Sequence, residues 1–234
     1  MHKETRFMAA EADRAFAALK AGGVAVMPMD VGYSAIGGSY AALRRIFEAK
    51  RRQPTKFNAM LGDDAMAREL YLLPEKGWAV YEAIVFDDDL PLGMIGPCRM
   101  DHPMLAAMEP DALTMSTKDG TLCMLTNAGP FHAAITRRSR EAGHALFGSS
   151  ANLSLQGTKF RAADIEPEIR EIADVIVDHG LRKCWPYRQS STLLDLVTFD
   201  VVRFGSSYEL IQDTLKRRFD IDLPDAPQPL EVKE

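Results

Sequence analysis

Between Ser149 and Thr158 the chain places four hydroxyls and one asparagine, on Ser149, Ser150, Asn152, Ser154 and Thr158. Short hydroxyl and amide side chains, together with the N–H groups of a loop, suit an oxyanion. The stretch follows Ala145, Leu146 and Phe147, which read as a strand, and open α/β sheets bind ligands just beyond such strand ends. Composition alone also fits an ordinary Ser/Asn-rich turn. A second concentration lies at residues 50–56, where Lys50, Arg51, Arg52 and Lys56 fall within seven positions and Pro54 discourages helix. Cations thrown together by a helix end and a turn can stabilise phosphate, and arginine can fork onto two phosphate oxygens. Taken alone, such a charge run also reads as a solvated turn whose cations favour a helix C-terminus.

Other chemistries are poorly supported. His2, His102, His132, His144 and His179 share no metal-ligand spacing, so no metal ligand is assigned. Cys98, Cys123 and Cys184 form no CxxC pair and suit reduced thiols. Ser149 and Ser150 do not sit in a GxSxG elbow. The run 87–89 of three aspartates reads as a solvated acidic turn. A net charge of −5 argues against a general nucleic-acid binder while leaving room for a local basic patch. No apolar run approaches the ~20 residues that span a bilayer, and the N-terminus lacks the apolar segment of a signal peptide. The expectation is a cytoplasmic protein with no membrane partner.

The elements that position these residues alternate. Helical spacing is read at 7–20, stopped by Gly22 and Gly23, and again at 40–50 behind a Ser39 cap. A short strand at 24–27 is expected to break at Pro28, with 29–38 a loop or second strand. Strand 57–61 and helix 63–72 follow, 78–86 is left open between helix and extended chain, and 87–103 reads as Pro- and Gly-rich loop. Residues 113–116 and 121–125 read as a strand pair around Lys118, Asp119 and Gly120. A helix opens at Pro130, strand 145–148 leads into the hydroxyl loop, and 162–173 reads as helix. Strand 175–178, a hairpin of 191–196 with 201–204, and helix 207–219 complete the chain, followed by a proline-rich loose tail. The alternation predicts one α/β domain.

Four segments, in order, resemble the YrdC-like family of threonylcarbamoyl-adenylate synthases. They are Gly22-Gly23-Val24-Ala25-Val26-Met27-Pro28, Ile46-Phe47-Glu48-Ala49-Lys50-Arg51-Arg52, Ser150-Ala151-Asn152-Leu153-Ser154, and Ser191-Thr192-Leu193-Leu194-Asp195-Leu196 with Val202-Arg203-Phe204-Gly205. Each is short, but their order and spacing over residues 7–206 are specific. The resemblance implies a YrdC-like nucleotide-binding domain over 7–206, a twisted mixed sheet with flanking helices and a concave basic cleft, and a C-terminal helix and tail over 207–234. It also implies the family reaction: threonine and bicarbonate form a carbamate that attacks the α-phosphate of ATP, releasing pyrophosphate, with Mg²⁺ assisting. The basic turn is similar to that of the related domain in hydrogenase-maturation carbamoyltransferases.

By this resemblance Lys50 and Arg52 stabilise charge on the ATP phosphates. Lys56, Thr121, Ser150, Asn152, Ser154, Thr158 and Arg203 complete the nucleotide set. The departures from the family pattern fall on the acceptor side. Met29 and Val31 stand where the family has threonines, Leu125 where it has an arginine, Leu61 where a histidine is frequent, and Gly148 where it has threonine; Ser191 is retained. Removing a carboxylate's charged partner from a desolvated pocket typically costs ~2–5 kcal/mol. The expectation is therefore a protein that binds ATP or AMP, with a small amino-acid-like acceptor other than efficiently used free threonine. Three readings stand: an ATP-dependent nucleotidyltransferase of the threonylcarbamoyl-AMP synthase type in tRNA modification, a paralogue with a different acceptor or carbamoyl donor, or a non-catalytic module binding nucleotide, tRNA or double-stranded RNA.

Overall fold

The computed structural model describes residues 3–53 and 55–227. Helix α1 (Lys3–Lys20) leads into the hairpin β1 (Val24–Met29) and β2 (Gly32–Gly37). Helix α2 (Tyr40–Ala49) is capped by Ser39, whose Oγ accepts from Ala42 N at 3.2 Å. It carries Leu43 and Ile46 into the core and delivers the chain at Lys50 to the basic turn. Strand β3 (Ala59–Leu61), α3 (Asp64–Leu70) and α4 (Glu75–Glu82) follow, the last running into a π-helical turn, Ala83–Asp87. Then come β4 (Leu92–Pro97), α5 (Pro103–Ala106), α6 (Pro110–Thr114), β5 (Thr117–Lys118), β6 (Thr121–Thr126), α7 (Pro130–Glu141) and β7 (Phe147–Ser150). The last third holds α8 (Pro167–Glu171), β8 (Val175–Ile176), β9 (Leu193–Asp195), β10 (Val201–Arg203) and α9 (Tyr208–Phe219).

The strands form one mixed sheet in the order β10-β9-β4-β6-β3-β7-β2-β1-β8, with β5 paired to β6 beside the path. The expected α/β class and mixed sheet are therefore present in a single domain. Alternation along each strand sends neighbouring side chains to opposite faces. One face, with Val24, Val26, Tyr33, Met60, Met94 and Met124, packs on α2, α3 and α9 as the larger core. The other, with Ala25, Met27, Ile36, Leu61 and Leu125, is covered by α1 and α7 only toward one side. Helix α9 buries Tyr208, Ile211 and Leu215 in the larger core, so it packs into the same body as the preceding strands.

Several local expectations are corrected. Leu92–Pro97 is a central strand, paired to β6 and β9, where a loop was read. Its glycines serve close packing: a Cβ on Gly93 would sit 2.1 Å from Leu193 Cδ2, and one on Gly96 would sit 2.6 Å from Leu73 Cδ2. Residues 113–116 end helix α6 and its following turn, so the strand before Gly120 is Thr117–Lys118. Pro167 divides 162–173 into a 3₁₀ turn, Ala162–Asp164, and α8. Pro28 does not end β1: the parallel neighbour β8 pairs only with Ala25 and Val26, so no ladder bond is missed there. Of the tail, residues 221–227 lack regular structure, and 228–234 lie outside the described residues.

Candidate active site

On the face left open by α1 and α7 lies a cavity of about 560 Å³. Its floor is made by alternate residues of adjacent strands: Ser34 and Ile36 on β2, Ala59 and Leu61 on β3, Gly93 and Ile95 on β4. Thr121, Cys123 and Leu125 on β6 continue it, with Gly148 and Ser150 on β7 and Leu193 on β9. Arg52, Thr55, Lys56 and Phe57 from the basic turn, Ser116 and Lys118 near β5, and Ser190, Ser191, Val202 and Arg203 form the walls. Four cations thus face the space, and no carboxylate appears among the described lining residues. In a protein of net charge −5 this is a strongly local concentration.

The two arginines are fixed by backbone carbonyls. Arg52 Nη2 donates to Phe57 O at 2.5 Å and Nε to Lys56 O at 3.3 Å. Arg203 Nε and Nη2 donate to Ser191 O at 3.0 and 2.7 Å, and Nη2 also reaches Ser191 Oγ at 3.2 Å. The remaining nitrogen, Nη1, of each arginine makes no hydrogen bond among the described residues. Burial and the neighbouring Arg203 lower Arg52 to about 10, and burial lowers Arg203 although its side chain reaches solvent through the open mouth. Both remain protonated at neutral pH, so two like charges are held near one another without a counter-charge. Burial pushes the Cys123 thiol up to about 11 despite both arginines, leaving it neutral and a poor nucleophile.

Lys50 takes a different place. It is buried, and its Nζ donates to Ser150 O and, at 2.7 Å, to Asn152 O. Its own carbonyl accepts from Ser154 N at 3.0 Å. The ammonium therefore ties the hydroxyl loop to the end of α2 from beneath the cavity. Desolvation, then Arg52, lowers its pKa to about 7, with Glu166 opposing.

Of the residues expected at the nucleotide, the structure brings Arg52, Lys56, Thr121, Ser150 and Arg203 together at the cavity. Lys50, Asn152, Ser154 and Thr158 do not line it. Asn152 is buried, with Nδ2 donating to Leu153 O at 2.5 Å and Oδ1 unpartnered. Thr158 runs beside Gly32, where a Cβ would meet its Cγ2 at 2.3 Å. Of the acceptor residues, Leu61, Leu125, Gly148 and Ser191 line the cavity, whereas Met29 and Val31 are buried in the core beneath α1 and α7. Gly148 is required by the sheet itself, because a Cβ there would lie 2.1 Å from Ala35 O.

Sequence reading missed Ser34, Thr55, Phe57, Ser116, Lys118 and Cys123. Period-two alternation from Thr121 to Leu125 carried the signal for Cys123. Thr55 and Phe57 flank Lys56 at the basic turn, and the others depend on register between strands distant in sequence. Ser116 is buried with its Oγ unpartnered, as is the Oγ of Ser149. Buried hydroxyls normally have partners; Ser116 borders the open cavity, whereas Ser149, between the floor residues Gly148 and Ser150 and opposite Ala35, turns its side chain to the other face of the sheet. Among the described residues hydroxyls but no carboxylates surround the space, and these residues do not offer a fitting seat for Mg²⁺. Among the described residues no cluster of three or more His, Cys, Asp or Glu could hold a metal ion, and no helix is long and apolar enough to cross a membrane.

Solved structures share this fold. A hypothetical protein, smu.1377c, from Streptococcus mutans UA159 superposes with a TM-score of 0.72 at 22% identity, over 90% of this chain and 92% of that one. Sua5 of P. abyssi, complexed with L-threonine, gives 0.70 at 17% identity over 92% of this chain, which spans 59% of the Sua5 chain. YciO of E. coli gives 0.64 at 18% identity, over 86% and 90%. No curated protein matches the sequence significantly. The Sua5/YciO/YrdC family model, described as telomere recombination, matches residues 17–205. With most of its length matched by that model, this chain belongs to the Sua5/YciO/YrdC family.

Proposed function

We propose that the cavity binds the triphosphate of ATP and that the protein catalyses nucleotidyl transfer of the threonylcarbamoyl-AMP synthase type. The observation that carries this reading is the pair Arg52 and Arg203, each braced by carbonyls and presenting an unbonded Nη1 to a cavity with no described carboxylate. Preorganised cations in a partly desolvated space stabilise charge that develops on phosphorus without reorganising during the step. Lys56 and Lys118 add charge, and Ser34 and Ser150 add short donors along one end, where the Thr121 hydroxyl donates to Lys118 O at 2.6 Å and keeps only acceptor capacity. The chain's contribution is positioning and electrostatics. The neutral Cys123 forms no covalent intermediate, and Mg²⁺ would arrive on the nucleotide.

Free threonine is not the efficient acceptor in this reading. Its carboxylate would lie against Leu61 and Leu125, which offer no charge partner. Pyrophosphate release from ATP and bicarbonate with a panel of amino acids, aliphatic amines and simple carboxylic acids tests the proposal. Release with a non-threonine acceptor supports it. Efficient release with threonine contradicts the altered acceptor. ATP binding with no release under any condition favours a non-catalytic nucleotide or RNA-binding module. Localisation to the cytoplasm and contact with tRNA belong to this same proposal.

A further inference from the structure

Strand register sorts the cavity floor into rows. Leu125 pairs with Leu61 on one side and Gly93 on the other, and Gly93 pairs with Leu193, giving an apolar row at one end. Cys123 opposite Ile95, and Gly148 between Ala59 and Ile36, form the middle. Thr121, paired with Lys118, and Ser150, opposite Ser34, form the other end, where Arg52 holds the carbonyls of Lys56 and Phe57. The cavity is thus graded from cations and hydroxyls to hydrocarbon.

Backbone groups of the apolar row are engaged within the protein. Leu125 O accepts from Gly62 N at 3.1 Å and lies 3.0 Å from Nε2 of His132, a ring kept neutral by burial that lowers it to about 4. Leu61 N donates to Leu146 O and Gly93 N to Thr192 O, each at 2.9 Å. A charged or hydroxyl-bearing group lying on Leu61 and Leu125 would be desolvated without a partner, which costs several kcal/mol in apolar surroundings; the nearest hydroxyl to the row is Ser191 Oγ, 3.3 Å from where a Cβ on Gly93 would stand. At the row's outer edge Arg203, opposite Leu193, keeps one nitrogen unbonded.

We infer that the second substrate is an R–CO₂⁻ compound whose body R is aliphatic and carries no second charged or hydroxyl group. This rests on the nucleotide reading above and names the acceptor class for the same cavity. The carboxylate end faces the cations, and R lies on Leu61, Leu125 and Leu193. One carboxylate oxygen attacks the α-phosphorus of ATP. The bond from that phosphorus to the oxygen bridging the β-phosphate breaks, and pyrophosphate leaves with the electron pair. The product is a mixed anhydride, R–CO–AMP, formed without any redox change. Two sources supply the same end group: a simple carboxylic acid, or the carbamate of an aliphatic amine with bicarbonate.

ATP–pyrophosphate exchange on the full chain separates them. The arms are straight and branched aliphatic acids of about four to six carbons, matching aliphatic amines with bicarbonate, and threonine with bicarbonate. Exchange in either aliphatic arm should exceed the threonine arm by roughly tenfold or more, the scale set by mismatched groups in a pocket. Leu193→Ala, which enlarges the apolar row at a half-buried position, should move the preference toward a longer R. Calorimetry with ATP accompanies each measurement. ATP binding with exchange confined to threonine, or absent from every arm, overturns the inference while leaving the nucleotide reading standing. A chain-length preference unmoved by Leu193→Ala also overturns it. Absence of ATP binding overturns the nucleotide reading and this inference with it.

Discussion

Lys50 Nζ donates to the carbonyl oxygen of Asn152 at 2.7 Å, across 102 positions of sequence, and the same ammonium also reaches Ser150 O. A residue whose sequence context suggested a phosphate ligand is instead the tie between helix α2 and the hydroxyl loop. The consequence for stability follows from protonation. The folded pKa of about 7 lies below the ordinary lysine value, so between the two the unfolded chain binds the extra proton. Stability attributable to Lys50 therefore rises as pH climbs from about 7 toward the unfolded value of ~10.4, with a limiting slope of ~1.4 kcal/mol per pH unit. Urea unfolding of the protein and of Lys50→Met at several pH values should show the difference between them growing in that window. A difference independent of pH would contradict the buried ammonium.

Arg52 and Arg203 carry the anion site, and each is expected to matter separately. Replacing either by alanine removes a fixed charge-assisted donor, an effect of ~2–5 kcal/mol, or at least roughly thirtyfold in nucleotide affinity. Because the Arg203 charge lowers the pKa of Arg52, the two losses should not add. A double-mutant cycle on ATP affinity, repeated at two salt concentrations, checks both points.

Gly148 is held to its identity by the backbone across the sheet. Gly148→Ala would set a Cβ 2.1 Å from Ala35 O and 2.8 Å from Ile36 Cδ1. Strand β7 is pinned between β2 and β3 and has little room to shift. The variant should lose ~3 kcal/mol or more, the range of overpacked buried sites. Chemical denaturation measures it.

Cys123 reports occupancy of the cavity. Its thiol is held near 11, so alkylation should be slow at pH 8 and accelerate as pH rises toward that value. Cys98 and Cys184 are buried outside this cavity. Mass spectrometry of iodoacetamide-treated protein should show Cys123 labelling suppressed by ATP. Labelling unaffected by saturating ATP would place the nucleotide elsewhere.

Much of this arrangement was legible in the sequence because it is local. The Ser39 cap, the helix opened by Pro130 and the basic turn follow from short-range rules. Arg52, Arg203 and Ser150 were identified as a set from resemblance, and the fold gathers them at one cavity. What escaped was non-local. Gly93 and Gly96 read as loop residues because glycine marks turns, yet they lie in a strand where neighbouring side chains occupy the space of a Cβ. Met29 and Val31 were expected at the acceptor pocket, but α1 and α7 cover them. Lys50 belongs to a cationic run, and nothing in that run says that one member turns inward toward Asn152. Lys118 and Ser116 enter the cavity only because the short β5 folds back onto β6.

Isothermal titration of ATP into the full chain, alongside Arg52→Ala and Arg203→Ala, tests the nucleotide site most directly. The expected result is saturable binding that weakens with added salt and falls by at least roughly thirtyfold in each variant. Binding unchanged in both variants, or no binding by the unmodified chain, would contradict the assignment of the basic cavity to ATP.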